Sequence, residues 1–260
     1  IKTDLSFQLK SWQIRDIIAL IPPSFTSYVE GIYAEGMLSS EGKIKGTYND
    51  SIMPLMDIHV LLKNGKVNYP EMLPFPVSNI LGDVNIHTDL RNDAISYVHI
   101  NNLKANTPKS QIAANGTVKQ LFSDMRINLK ADANLNINEF EVFLPEDMPV
   151  DMKGNVNGNV NADFTLSQIE KMELDKIKAS GTFALKGLDV VYDSISVKAQ
   201  NSNISFSLPN PNPSTRNTNF VKASISSDLL QASMIDSFDA SLTNVLIGVE
   251  TSDVRDTTQI

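Results

Sequence analysis

The sequence predicts a mainly β fold: a long, twisted antiparallel meander, forming a curved sheet or groove or else a sandwich, with two short helices. Three observations predict it. First, Val150, Met152, Gly154, Val156, Gly158, Val160, Ala162, Phe164 and Leu166 alternate without a slip with Asp151, Lys153, Asn155, Asn157, Asn159, Asn161, Asp163, Thr165 and Ser167. Side chains alternate across a strand with period two, so this run specifies one apolar face and one wetted face. At ~3.3 Å per residue it spans roughly 55 Å as a single strand, where common strands reach ~17–20 Å. Second, Met125, Ile127, Leu129, Ala131, Ala133, Leu135 and Ile137 alternate in the same way with Arg126, Asn128, Lys130, Asp132, Asn134, Asn136 and Asn138. Third, the apolar phase slips by one residue at three dipeptides that carry Gly or Asn, as a meander of hairpins requires.

Taken in order, Lys2 to Leu9 reads as strand. Ser11 is the expected N-cap of a first helix reaching Leu20, with Trp12, Ile17, Ile18 and Ile21 as its apolar residues and Pro22-Pro23 as its stop. A two-residue primed turn at Asn64-Gly65 opposes Leu62 to Val67 and Val60 to Tyr69. Turns at Lys186-Gly187 and Asn201-Ser202 likewise oppose Leu185 to Leu188, Phe183 to Val190, Ala199 to Ile204, Val197 to Phe206 and Ile195 to Leu208. Asn157-Gly158 fails the same condition. A turn there would oppose Val156 to Asn159 and Met152 to Asp163, mixing apolar with polar on one face. Val150–Leu166 is therefore expected to be one strand, with its glycines giving a bend or a close backbone approach.

Ser167-Gln168-Ile169-Glu170 has capping-box spacing and opens a second helix, near 167–178, whose Ile169, Met172 and Ile177 would pack on the sheet. Residues 209–219, with Pro209, Pro211 and Pro213 alternating among polar residues, form a loop, since such prolines cannot sit in a central strand. The strand pattern resumes at Phe220 and includes Leu242, Val245, Ile247 and Val249. The expected organisation is a β region over 1–208, the loop, and further strands over 220–260 of the same or a following β unit. A Gly-Thr echo at Gly46-Thr47, Gly116-Thr117 and Gly181-Thr182 fits either shared strand chemistry or a repeated β unit.

Composition narrows the function. A net charge of −8 argues against binding a phosphate backbone, so no nucleic-acid partner is expected. The chain has no cysteine, hence no disulfide framework and no thiolate chemistry. Its longest apolar runs fall far short of the ~20 residues of a membrane-spanning helix. It opens directly on strand pattern, so a piece of a longer polypeptide is expected. His59, His87 and His99 lie on separate strands without close ligand spacing, and solvated strand-face histidines are expected rather than a metal site. Glu146-Asp147 and the pair Glu170 and Glu173 read as solvated loop and helix carboxylates. No nucleophile elbow, P-loop or dinucleotide fingerprint occurs, so neither an enzyme nor a cofactor is expected.

Several stretches together resemble the AsmA family of envelope proteins from bacteria with two membranes, in particular its C-terminal region in Bacteroidetes-type sequences. They are Ile14-Arg15-Asp16-Ile17-Ile18-Ala19-Leu20-Ile21-Pro22, Glu30-Gly31 through Gly36-Met37-Leu38, and Gly42-Lys43-Ile44-Lys45-Gly46-Thr47-Tyr48. Gly65-Lys66-Val67-Asn68-Tyr69-Pro70 with Leu73-Pro74-Phe75-Pro76-Val77-Ser78-Asn79-Ile80 adds a Tyr-Pro-x-Leu-Pro segment. Asp163 through Glu170 with Lys178-Ala179-Ser180-Gly181-Thr182-Phe183 adds a strand–helix–Ala-x-Gly unit. The likeness covers most of the chain up to about Leu208. It implies a periplasmic β-groove, anchored in the inner membrane through a helix absent from this chain. It also implies roles in moving phospholipid toward the outer membrane and in outer-membrane biogenesis. No catalytic residue comes with it.

Two functions follow. In one, the apolar strand face receives phospholipid acyl chains and adjoins flanking segments of the same larger polypeptide. That face comprises Met125, Ile127, Leu129, Leu135, Ile137, Val150, Met152, Val156, Val160 and Phe164. In the other, the same face is the closed core of a structural or protein-interaction module in outer-membrane assembly. A sugar-binding module ranks behind both, because such sites want exposed aromatics and the chain has one Trp.

Overall fold

The computed structural model describes residues 2–20, 30–47, 54–71, 73–89, 91–145, 148, 150–214 and 220–251. The fold is mainly β, with 69% of the chain in one large antiparallel sheet of 13 strands. The chain divides into two compact units, 1–129 and 130–260.

In the first unit, β1 (Lys2–Gln13), β2 (Tyr33–Thr47), β3 (Leu55–Asn68), β4 (Val77–Thr88), β5 (Tyr97–Asn106) and β6 (Gln111–Lys119) each pair with the next. Register brings like onto like. Leu5 faces Ile44, which faces Met56; Ile58 faces Ile86, which faces Val98, which faces Val118. Cross-strand apolar pairs of this kind are the unit of sheet stability, each adding roughly 0.2–1 kcal/mol. β7 (Arg126–Asn136) follows and runs across the division between the units.

The second unit holds β8 (Val150–Thr165), β9 (Lys178–Tyr192), β10 (Ile195–Gln200), β11 (Ser202–Leu208), β12 (Val221–Met234) and β13 (Phe238–Thr251). β8 is a single strand through Asn157-Gly158, as parity requires, and its exposure alternates from Val150 to Ala162. Asn157 pairs with Ala184 and Gly158 with Phe183 on β9.

The three expected hairpins are not turns. β3 runs straight through Asn64-Gly65, and Gly65 pairs with Ile80 on β4 while Asn64 holds φ 51°. The register slips there by one residue against β2 as well, beside Gly36 (φ 132°). This is a bulge, and a bulge flips the apolar phase just as a two-residue turn does. β9 likewise passes through Lys186-Gly187, with Gly187 at φ 60°. β10 and β11 are collinear rather than opposed. Both lie between β9 and β12, interrupted only at Asn201 (φ 48°).

These flips line up across the second unit. Leu188 pairs with Ala199 and Leu185 with Ser202, three residues on along each strand, so the register is unchanged from one side of the interruption to the other. The same continuity holds between β12 and β13, where Ser227 meets Val245 and Leu230 meets Leu242, and Asn244 takes φ 52°. β9, β10–β11, β12 and β13 therefore change phase in step, forming a crease. β8 keeps its phase, and the register between β8 and β9 slips by one at Gly154 (φ 131°). At the crease, Asn201 donates from Nδ2 to Asp228 Oδ2 at 2.8 Å, while Ser202 and Ser227 share a 2.5 Å hydroxyl contact. Ser227 also donates toward the carbonyls of Gln200 and Leu229, which answers main-chain acceptors that the interrupted ladder leaves over.

Both helices differ from expectation. β1 extends to Gln13, so Ser11 is not an N-cap: it sits in a bulge at φ 52°, its N–H donating to Ser39 Oγ at 3.1 Å. The first helix, α1, is Ile14–Ile18, and Ile21 with Pro22-Pro23 lies outside the described residues. The second, α2, is Leu166–Glu170, and its capping pair is Thr165 with Gln168, whose Oε1 accepts the Thr165 N–H at 2.9 Å. The expected box at Ser167 was thus two residues late. Of the three side chains expected to pack from this segment, Ile177 is buried while Ile169 and Met172 stay exposed.

Among the described residues, the buried apolar side chains are Ile177, Ala199 and Val221, together with Pro54. Every strand among the described residues belongs to the one sheet.

Candidate functional site

Two surfaces carry the functional candidates, one in each unit. On the apolar face of the second unit, Val150, Met152, Val156, Val160 and Phe164 project from one side of β8 and are half-buried. Val156 lies opposite Leu185, and Met152 opposite Val190. Phe183 and Phe206 stack with centroids 6.3 Å apart and planes 10° from parallel. Glycines make room for them: a Cβ on Gly158 would stand 2.3 Å from the Phe183 ring, and one on Gly181 2.7 Å from the Phe206 ring. Leu188, Ile204, Ile225 and Leu230 continue the same face across the crease. Sequence reasoning missed these residues because their phase flips looked like hairpins, although the apolar phase itself was readable.

Ile127, Leu129 and Leu135 occupy the less exposed side of β7. Met125 and Ile137, the two ends of the expected run, lie outside the strand: Met125 precedes it, and Ile137 opens a 3-10 turn at Ile137–Phe143. This turn was not foreseen. It buries Glu139, stacks Phe140 on Phe143 at 6.4 Å, and brings the Glu141 carboxylate to accept the Met152 N–H of β8.

On the polar face of the first unit, register gathers the three histidines. Glu41, His59, Asn85, His99 and Thr117 stand successively opposite one another on β2 to β6. The adjacent row is Lys43, Asp57, His87, Tyr97 and Lys119. His59 Nε2 is hydrogen-bonded to Asp83 Oδ1 at 2.9 Å, His87 Nδ1 to Asp57 Oδ1 at 2.5 Å, and His99 Nδ1 to Thr117 Oγ1 at 2.7 Å. Asp83 also accepts from Asn101 at 2.8 Å, and the Asn101 and His59 hydrogen bonds hold its carboxyl below the usual value. The Arg91 guanidinium does the same for Asp89. Among the described residues no group of three His, Asp or Glu side chains is placed to hold a metal ion. The rows, His87 excepted, line a depression of about 890 Å³. Two smaller ones, of about 280 and 290 Å³, open on the polar face of the second unit around Asn159 and Thr182.

Glu146 and Asp147 lie outside the described residues, and Glu173 pairs with Lys176 at 3.0 Å. No helix among the described residues is long and apolar enough to cross a membrane. No family model, curated protein or solved structure matches this chain.

Proposed function

We propose that this chain is a non-catalytic β-sheet segment of a larger envelope protein and that its apolar sheet face receives phospholipid acyl chains. The observation that carries this reading is how few apolar side chains are buried among the described residues of a sheet whose one face is apolar strand after strand. Soluble proteins rarely leave apolar patches beyond a few hundred Å² open to water, and an acyl chain needs only such a surface, without polar partners. The resemblance to AsmA proteins supports the same assignment and with it a periplasmic setting, anchorage in the inner membrane, and a part in outer-membrane biogenesis.

Native mass spectrometry of the purified chain tests it. Phospholipid adducts are expected on the parent chain and are expected to disappear in Val156→Asp. A parent chain free of lipid, together with loss of cooperative folding in Val156→Asp, would instead identify the face as the core of a structural module.

A further inference from the structure

The polar depression of the first unit is separate from the apolar face of the second unit that is assigned to acyl chains: its lining runs from Ser6 to Lys119. Its charges balance: Glu41 and Asp57 against Lys43 and Lys119. That gives it no net field to select an ion, and a metal lacks a third ligand. What it offers instead is a mixed row of donors and acceptors. The side chains of Asn85, Tyr97, Lys43 and Lys119 have no hydrogen bond or ion pair within the described residues. His59 and His99 each use one ring nitrogen in holding their orientation, leaving Nδ1 of the first and Nε2 of the second to a ligand. Tyr97 lines the depression, and His87 stacks on it with centroids 5.5 Å apart and planes 18° from parallel, which fixes the ring.

A volume of about 890 Å³ falls within the range of ligand sites. Balanced in charge, rich in donors and acceptors, and furnished with one immobilised aromatic ring, it matches a molecule that presents hydroxyls at its edge and C–H groups on its faces. We propose that this depression binds a neutral oligosaccharide, with Tyr97 as the stacking platform and His59, Asn85 and His99 as the hydrogen-bonding row. A count of tryptophans argues against sugar binding, but strand register supplies a ring and a polar row that no count contains.

The test is a titration of the isotope-labelled 260-residue chain with cellotetraose, maltotetraose and chitotetraose at millimolar concentration, followed by amide and imidazole NMR shifts. At least one sugar is expected to shift His59, Asn85, Tyr97 and His99 while leaving β12 and β13 unmoved. Tyr97→Ala and Asn85→Ala should each weaken binding about tenfold, the loss of one stacking or hydrogen-bonding partner. Asn157→Ala on β8 should change nothing. The free variants' spectra establish that they fold, and Asn85→Ala carries the test if Tyr97→Ala does not. Silence toward all three sugars overturns the proposal. So does equal binding by folded variants, or a stronger response of the same residues to inositol hexakisphosphate. None of these outcomes bears on lipid at the apolar face of the second unit.

Discussion

Gly158 and Gly187 are glycines for different physical reasons. A Cβ at Gly158 would meet the Phe183 ring at 2.3 Å and the Thr182 carbonyl oxygen at 2.5 Å, and a main-chain oxygen in a ladder cannot retreat. Gly158→Ala is therefore expected to lower stability by about 1–3 kcal/mol, the cost of overpacking. At Gly187 nothing lies within 4 Å of the added atom, but φ is 60°. Gly187→Ala should cost about 1–2 kcal/mol through backbone strain alone, and Gly187→Asn less, since Asn tolerates this conformation. Urea unfolding of the three variants separates the two mechanisms. Asn64 belongs to the second class: its positive φ was readable from Asn-Gly, whereas its place in a bulge was not. Asp83 supplies a pH-dependent term. Its carboxyl is held below the ordinary value of 3.8, so the stability it contributes is present above that value and is lost as pH falls below it. Asp83→Asn should reduce stability at neutral pH and flatten the loss below about pH 4, as followed by thermal melts against pH.

At the scale of elements, the parity of apolar residues was informative in one direction only. An unbroken phase excludes a two-residue turn, which is why β8 was legible from Val150 onward. A broken phase admits a turn or a bulge, and residues 62–67, 185–188 and 199–204 contain nothing local that separates the two. The choice is made by partners far away in sequence: Ile80 for Gly65, and β12 for both β10 and β11. Cross-linking checks the β8–β9 register. Asn159 and Thr182 are Cα partners whose side chains meet at 2.9 Å, so the double replacement Asn159→Cys with Thr182→Cys should close a disulfide under mild oxidant. Val156→Cys with Asn159→Cys, the pair a hairpin would oppose, should remain reduced. Mobility on non-reducing gels or intact mass reads both.

For the molecule as a whole, the fold class followed from strand-length alternation, because period two needs no knowledge of tertiary contacts. The gathering of His59, Asn85 and His99 did not follow, since it depends on the relative register of β3, β4 and β5 across bulges. How thinly the apolar face is covered was equally hidden, because alternation reads the same in a sandwich and in a bare sheet. Val156 is half-buried opposite Leu185, so the carboxylate in Val156→Asp can stay hydrated. That variant should keep a cooperative unfolding transition by circular dichroism, shifted by less than the several kcal/mol of a fully buried unpaired charge. A variant that no longer folds would count against an open face.

The crease restricts how this part of the chain can vary in length. Strands β9 through β13 exchange sides together, so each behaves like a line of text that must break at the same column as its neighbours. Deleting Asn201 alone would send Ile204, Phe206 and Leu208 to the wetted side while Phe183 and Ile225 stayed put. Removing a pair of residues within a strand would preserve sidedness but shift the break out of its column. Change by single residues is thus confined to the connections, at Asp193-Ser194, at 209–219 and at Ile235–Ser237, and the strands themselves can be gained or lost only as complete rows.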